Sequence, residues 1–269
     1  MKKYLITAAV FLTGTALANA ATVTDATLPT GFVWTAADIE LSRSSGSSGS
    51  GNTLTAGRAG LASISVGGQS YTSFDLTEWN WQISFDVTAA TFSGATGTQM
   101  LFSTEGGSNG NGYAVVLSLE SGTYSYDIRS GGNSVTPTQN STQVKPILEG
   151  SRIEIGDSPV STVTLLWDAA NESLYFSSGS TTKKIAGDDV ISNLKLTTIA
   201  NGKDYASQIG HGSVGTNSRG PVFWTNGGNA LFDNITLKVS PVPEPSTFGL
   251  LAGLGALALA GTRRRRRAK

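Results

Sequence analysis

Side chains able to run acid–base or nucleophilic chemistry are few in this sequence, and their spacing does not suit it. Cleaving a glycosidic bond takes two facing carboxylates, about 5 Å apart for retention and about 6.5–9.5 Å for inversion. The nearest candidate is Arg152-Ile153-Glu154-Ile155-Gly156-Asp157. On a strand Glu154 and Gly156 share one face while Asp157 points to the other, so the acids diverge. Asp188 and Asp189 are adjacent and diverge in the same way. All four read as solvated surface. The sole histidine, His211, lies in Gly210-His211-Gly212. A Ser-His-Asp triad needs that base, but no Gly-x-Ser-x-Gly elbow stands near it. One histidine does not make a histidine-rich zinc site, although mixed ligands stay open. There is no cysteine, which excludes thiol catalysis, Cys-ligated zinc and disulfides. No Gly-Lys-Ser/Thr phosphate cradle is present. Neither catalysis nor a cofactor is expected.

Binding chemistry is better supplied. Saccharide sites combine aromatic rings with Asn, Asp and Arg hydrogen bonds, often on loops. Glycine-rich stretches carry Asn109, Asn111 and Tyr113; Arg129 and Asn133; and Arg219, Trp224, Asn226 and Asn229. Tyr113, Arg129, Asn133, Trp224 and Asn226 are the candidate glycan-binding residues. The competing reading makes Trp224 a core residue and the asparagines ordinary loop. Asp86, Asp127 and Asp233 read as solvent-facing or turn-capping, and nothing matches a fixed calcium loop.

The elements that must position these residues are strands. Trp79, Trp81, Ile83, Phe85 and Val87 alternate with Asn80, Gln82, Ser84 and Asp86, a pattern that buries one face and wets the other. Further strands are expected at Met100–Ser103, Tyr113–Leu119, Tyr124–Ile128, Ser161–Trp167, Leu174–Ser177 and Ala230–Val239. Turns such as Glu120-Ser121-Gly122 and Asp168-Ala169-Ala170-Asn171 divide them. The expectation is one all-β domain over residues 21–240, a two-sheet antiparallel β-sandwich. The Ser/Gly run at 42–51 is expected as a flexible loop within it. Phe32, Val33, Trp34, Ile39 and Leu41 are expected to add a strand.

Both ends read as targeting segments. Lys2 and Lys3, the apolar Leu5–Leu17 and Ala18-Asn19-Ala20 have the form of a signal peptide over residues 1–20, cut between Ala20 and Ala21. At the other end, residues 241–269 hold Val242-Pro243-Glu244-Pro245-Ser246, an uncharged run of 17 residues from Ser246 to Thr262, and Arg263, Arg264, Arg265, Arg266 and Arg267. As a helix that run is roughly 25 Å long, close to the ~30 Å hydrocarbon core. An arginine block stays on the cytoplasmic side, which puts the rest of the chain outside. Eight of the 19 basic residues and one of the 19 acids lie in these ends, so the exported part carries about seven net negative charges. Such a surface repels polyanions and disfavours nucleic-acid binding.

The C-terminal segment resembles the PEP-CTERM sorting signal, with Pro243-Glu244-Pro245, the short Gly/Ala-rich span and the arginines in order. The resemblance implies recognition and removal of the tail by an exosortase-type membrane protease. Delivery to the cell surface or extracellular matrix would follow. A plain, uncut membrane anchor is the alternative.

The strand order resembles the laminin-G-like, concanavalin-A-like jelly roll at Glu78–Val87, at Ser161–Asp168 with Leu174–Phe176, and at Leu231–Leu237. That resemblance implies non-catalytic contact with polysaccharide or glycan, and calcium is common in the superfold. A structural envelope protein without a ligand, or a glycoside hydrolase of atypical site, remain the alternatives.

Overall fold

Strand-period alternation sets the architecture. The computed structural model describes residues 21–71, 74–75, 77, 79–88, 97–103, 113–130, 147–187, 190, 194, 198–200, 203–205, 208–209, 222–225 and 231–241. These residues form an all-β sandwich of two antiparallel sheets. In spatial order sheet one runs β1 (Thr22–Asp25), β13 (Thr181–Ala186), β12 (Ser173–Ser178), β11 (Ser161–Asp168), β6 (Trp79–Val87), β18 (Phe232–Pro241) and β2 (Thr35–Arg43). Sheet two continues from β2 through β3 (Gly57–Val66), β17 (Val222–Thr225), β7 (Gly97–Ser103), β8 (Tyr113–Glu120), β9 (Thr123–Ser130) and β10 (Ile153–Gly156). Strand β4 (Gln69–Tyr71) lies on β3. Two small pairs stand apart: β5 (Phe74–Asp75) with β16 (Gln208–Ile209), and β14 (Thr198–Ala200) with β15 (Lys203–Tyr205).

Strand β2 belongs to both sheets. Its first residues pair with β18, Thr35 opposite Val239 and Ala37 opposite Leu237, and the rest pair with β3. A register shift between Glu40 and Leu41 bends it; such bends are how a strand changes sheet at a sandwich corner. Ile39 and Leu41 therefore do join a strand. Phe32, Val33 and Trp34 stop short of it.

Inward-facing residues from both sheets meet as an aromatic cluster. Phe85 and Phe232 of sheet one touch Phe102 and Phe223 of sheet two, with centroids 5.4 Å apart for Phe85–Phe223 and 6.0 Å for Phe85–Phe102. Tyr126 of β9 packs edge-on against Phe176 of β12, and its hydroxyl lies 2.7 Å from Ser161 Oγ on β11. That bond satisfies the one polar atom which an inter-sheet tyrosine would otherwise bury unpaired. Trp81 and Trp167 pair across β6 and β11 and are both buried.

Hydrogen bonds run across the Ser/Gly stretch. Arg43 donates from Nη2 to the carbonyls of Gly51 (2.7 Å) and Thr53 (2.8 Å), and Ser48 pairs with Ala56. Leu54 is buried and exchanges both backbone bonds with Phe232. Gly57 closes the loop at φ +85°, where an added Cβ would collide with Ser47.

Candidate functional site

The outer face of sheet one is a hydrogen-bonding surface built by register. Trp81, Ile83, Phe85 and Val87 turn inward, so Gln82, Ser84 and Asp86 turn outward. Across β11 they meet Leu166, Thr164 and Thr162; across β18 they meet Lys238, Thr236 and Asp233. Ser84 Oγ lies 2.9 Å from Thr164 Oγ1, and Thr162 donates to Asp86 at 2.5 Å. Asn234 Nδ2 donates to the other Asp86 oxygen at 2.9 Å.

A bulge in β18 aims this last residue. Register shifts between Asp233 and Thr236, and Asn234 takes φ +50°, a left-handed conformation that asparagine tolerates better than most side chains. Asp233 Oδ1 supports it by accepting from the Asn234 N–H and from Thr53 Oγ1, both at 2.8 Å. Asp86 and Asp233 therefore do the capping and surface work expected of them. Toward the far strands the face carries Tyr175, with Lys184 Nζ 6.0 Å from its ring centroid. Burial, then the nearby Asp168 charge, pushes the Tyr175 phenol above its ordinary pKa.

A second polar place lies near the β10 edge of sheet two. A pocket of about 240 Å³ is lined by Glu120, Ser121, Thr123, Ser125, Arg152 and Glu154. Arg152 reaches Asp127 with Nε (2.8 Å) and Nη2 (3.2 Å), and Glu120 with Nη1 (2.9 Å) and Nη2 (3.3 Å). Four of the five guanidinium N–H donors are thus committed. Hydrogen bonds to Asp127, then to Glu120, hold the Arg152 pKa well above its usual range. Contrary to the solvent-facing expectation, the Asp127 side chain is fully buried. Strand parity puts it on the face opposite Tyr126 and Ile128, where Arg152 and Ser118 Oγ (3.1 Å) compensate its charge.

Of the five candidate glycan residues, Tyr113, Arg129 and Trp224 lie among the described residues. Tyr113 opens β8 and turns into the core with Val115 and Leu117, so it is no exposed platform. Arg129 is 8% exposed on the opposite face, beside Asp127; burial lowers its pKa, and the Asp127 charge partly offsets this. Trp224 lies in β17 opposite Arg58. Asn133, Asn226, His211, Asp188 and Asp189 lie outside the described residues, as do Ala20, Pro243, Glu244, Pro245 and Arg263 to Arg267. Ala21 packs on the core edge one residue before β1. Glu154 and Asp157 are exposed, as expected. Among the described residues, no three His, Cys, Asp or Glu side chains are placed to hold a metal ion. Nor is any helix among them long and apolar enough to cross a membrane.

Residues 241–267 match the PEP-CTERM protein-sorting motif. The chain carries a PEP-CTERM signal. It marks an exported protein that is handled by an exosortase, associates with the membrane and is sorted to the surface. The PEP-CTERM match begins at Pro241, the last residue of β18, so no linker separates sandwich and signal. No curated protein matches the chain. Among solved structures, the CBM40 of Ruminococcus gnavus IT-sialidase, bound to α2,6 sialyllactose, is similar at 12% identity and TM-score 0.27. The match covers 65% of this chain and 89% of that one.

Proposed function

We propose that this exported protein holds its sandwich at the cell surface and makes non-catalytic contact with extracellular polysaccharide or glycan through the outer face of sheet one. The observation that carries the reading is the outward row Gln82, Ser84, Asp86, Thr162, Thr164, Asn234 and Thr236. It offers hydroxyl, amide and carboxylate groups on one rigid surface. A polyhydroxylated chain is recognised by such groups, and regular strands hold them in place without an ordering cost. The fold is of the concanavalin-A-like jelly-roll kind, with β11 and β12 as the strand–turn–strand beside that face. No catalytic step is assigned, because Glu120 and Asp127 are both committed to Arg152.

Residues 1–20 act as a cleaved signal peptide, and residues 246–262 span the membrane until an exosortase removes the tail. Pro243, Glu244 and Pro245 serve recognition, and Arg263 to Arg267 set the topology.

A structural envelope role is the second reading. The outward groups also satisfy one another, Ser84 with Thr164 and Asp86 with Thr162, as a ligand-free surface does. The test is retention of the chain on a broad polysaccharide and glycan array, with calcium and with chelator. Selective retention supports the binding reading, and calcium dependence would add an ion that the sequence does not specify. Absence of retention in both conditions moves the assignment to the structural role.

A further inference from the structure

We infer that Phe32-Val33-Trp34 is a lipid-docking patch that lays one end of the sandwich on the membrane while the sorting segment is inserted. Val33 is 83% exposed, the most exposed large hydrophobic residue among those described. Phe32 and Trp34 lie against each other with centroids 4.8 Å apart and planes tilted by 44°, and neither joins the hydrophobic core formed by the described residues. Gly31, at φ +96°, turns the chain just before them. Val33 thus stands exposed beside a half-buried aromatic pair that lies off the core. Aromatic and aliphatic groups together are what a bilayer interface accepts.

Strand pairing fixes where the patch lies. Thr35 follows Trp34 directly and pairs with Val239. Two residues after Val239, at Pro241, β18 ends and the sorting motif begins. The uncharged run starts at Ser246, five residues further on. Five residues reach at most about 17–18 Å when fully extended. Adjacent strands are about 4.8 Å apart, so the patch sits beside the exit strand within that reach of the bilayer. The other strongly exposed valine, Val160 (61%), precedes Ser161, which pairs with Val87 at the opposite end of β6. The two ends of the sandwich therefore carry their own comparison.

The occupant is lipid rather than a polyanion, because the contact is apolar and the exported part is net acidic. Docking should therefore be nearly independent of salt. The inference rests on insertion of residues 246–262, and the experiment separates the two.

The chain has no cysteine, so Val33→Cys and Val160→Cys each give a single labelling site. The full chain, labelled with an environment-sensitive fluorophore, is reconstituted into phosphatidylethanolamine–phosphatidylglycerol vesicles with quencher on the lipid chains. Flotation after alkaline extraction reports the anchor. The expected result is a chain that floats, with the label at 33 blue-shifted and quenched at low and high salt alike. The label at 160 stays in water, and Phe32→Ser with Trp34→Ser reduces quenching at 33. A chain that floats with 33 and 160 equally unquenched overturns the docking patch and leaves the anchor standing. A chain that does not float overturns both. Shielding of position 33 only in membranes that contain an exosortase makes the partner a protein and overturns the lipid assignment.

Discussion

Arg152→Ala should destabilise the sandwich far more than Glu120→Ala, although both break the same guanidinium cluster. Arg152 bonds two carboxylates in very different surroundings. The Glu120 side chain is 59% exposed, and an ion pair in that setting is worth about 0–1 kcal/mol. The Asp127 side chain is fully buried, and removing the partner of a buried charge costs about 3–5 kcal/mol. Arg152 is itself 34% exposed, so water reaches Asp127 once the guanidinium is gone, and Ser118 still donates to it. This screening brings the cost to the bottom of that range or just below it, about 2–3 kcal/mol for Arg152→Ala against under about 1 kcal/mol for Glu120→Ala. Adding Asp127→Asn to Arg152→Ala should recover part of the loss, because a neutral amide is cheaper to bury than a lone carboxylate. Urea unfolding followed by tryptophan fluorescence reads all four proteins on one scale. Equal costs for Arg152→Ala and Glu120→Ala, or no recovery in the double variant, would refute the claim that Asp127 is the buried charge being compensated.

Other expectations follow from the same contacts. Burial pushes the Tyr126 phenol up to about 12, with the Ser161 bond pulling slightly the other way. An unfolded tyrosine ionises near pH 10, so stability should be full below pH 10 and fall by about 1.4 kcal/mol per pH unit toward pH 12. Comparing wild type with Tyr126→Phe across that window should show the fall only where the phenol is present. Phe85→Ala empties the ring cluster between the sheets and should cost about 3–5 kcal/mol by denaturant titration. Gly57→Ala combines a left-handed backbone with a collision against Ser47; it should lower the melting temperature and cost at least about 1 kcal/mol. Glu244→Ala should leave the chain in the membrane fraction, read by fractionation and blotting for tail removal.

Strands with strong contrast were legible in the sequence. Trp79–Val87 was read with its observed bounds and faces, and the six others named were placed within three residues of their ends. Strand β3 escaped because Gly57, Ala59, Gly60 and Ala62 give little hydrophobic alternation. Strand β13, Thr181–Ala186, is mostly polar and is placed by pairing with β1 and β12 rather than by its own pattern. The wetted half of β6 was visible, but its partners Thr162 and Asn234 are 76 and 148 residues from Asp86, and only register joins them. Tyr113 sits where a glycine-rich run passes into a strand, so its type suggested a platform while its parity sent it inward. Asp127 has outward parity, yet burial beside Arg152 is a long-range pairing that local sequence does not announce.

On the proposed function, the polar face of sheet one contacts surface polysaccharide. The most direct measurement is retention of the full chain on the extracellular polysaccharide of the producing cells, set against Asp86→Ala and a Thr162→Ala, Thr236→Ala double variant. All three substitutions lie at the outer surface, and circular dichroism should show the sandwich unchanged. The account predicts that wild type is retained and that the variants lose retention by tenfold or more, on the order of 1.4 kcal/mol. Equal retention of wild type and variants, or none by wild type, would contradict it.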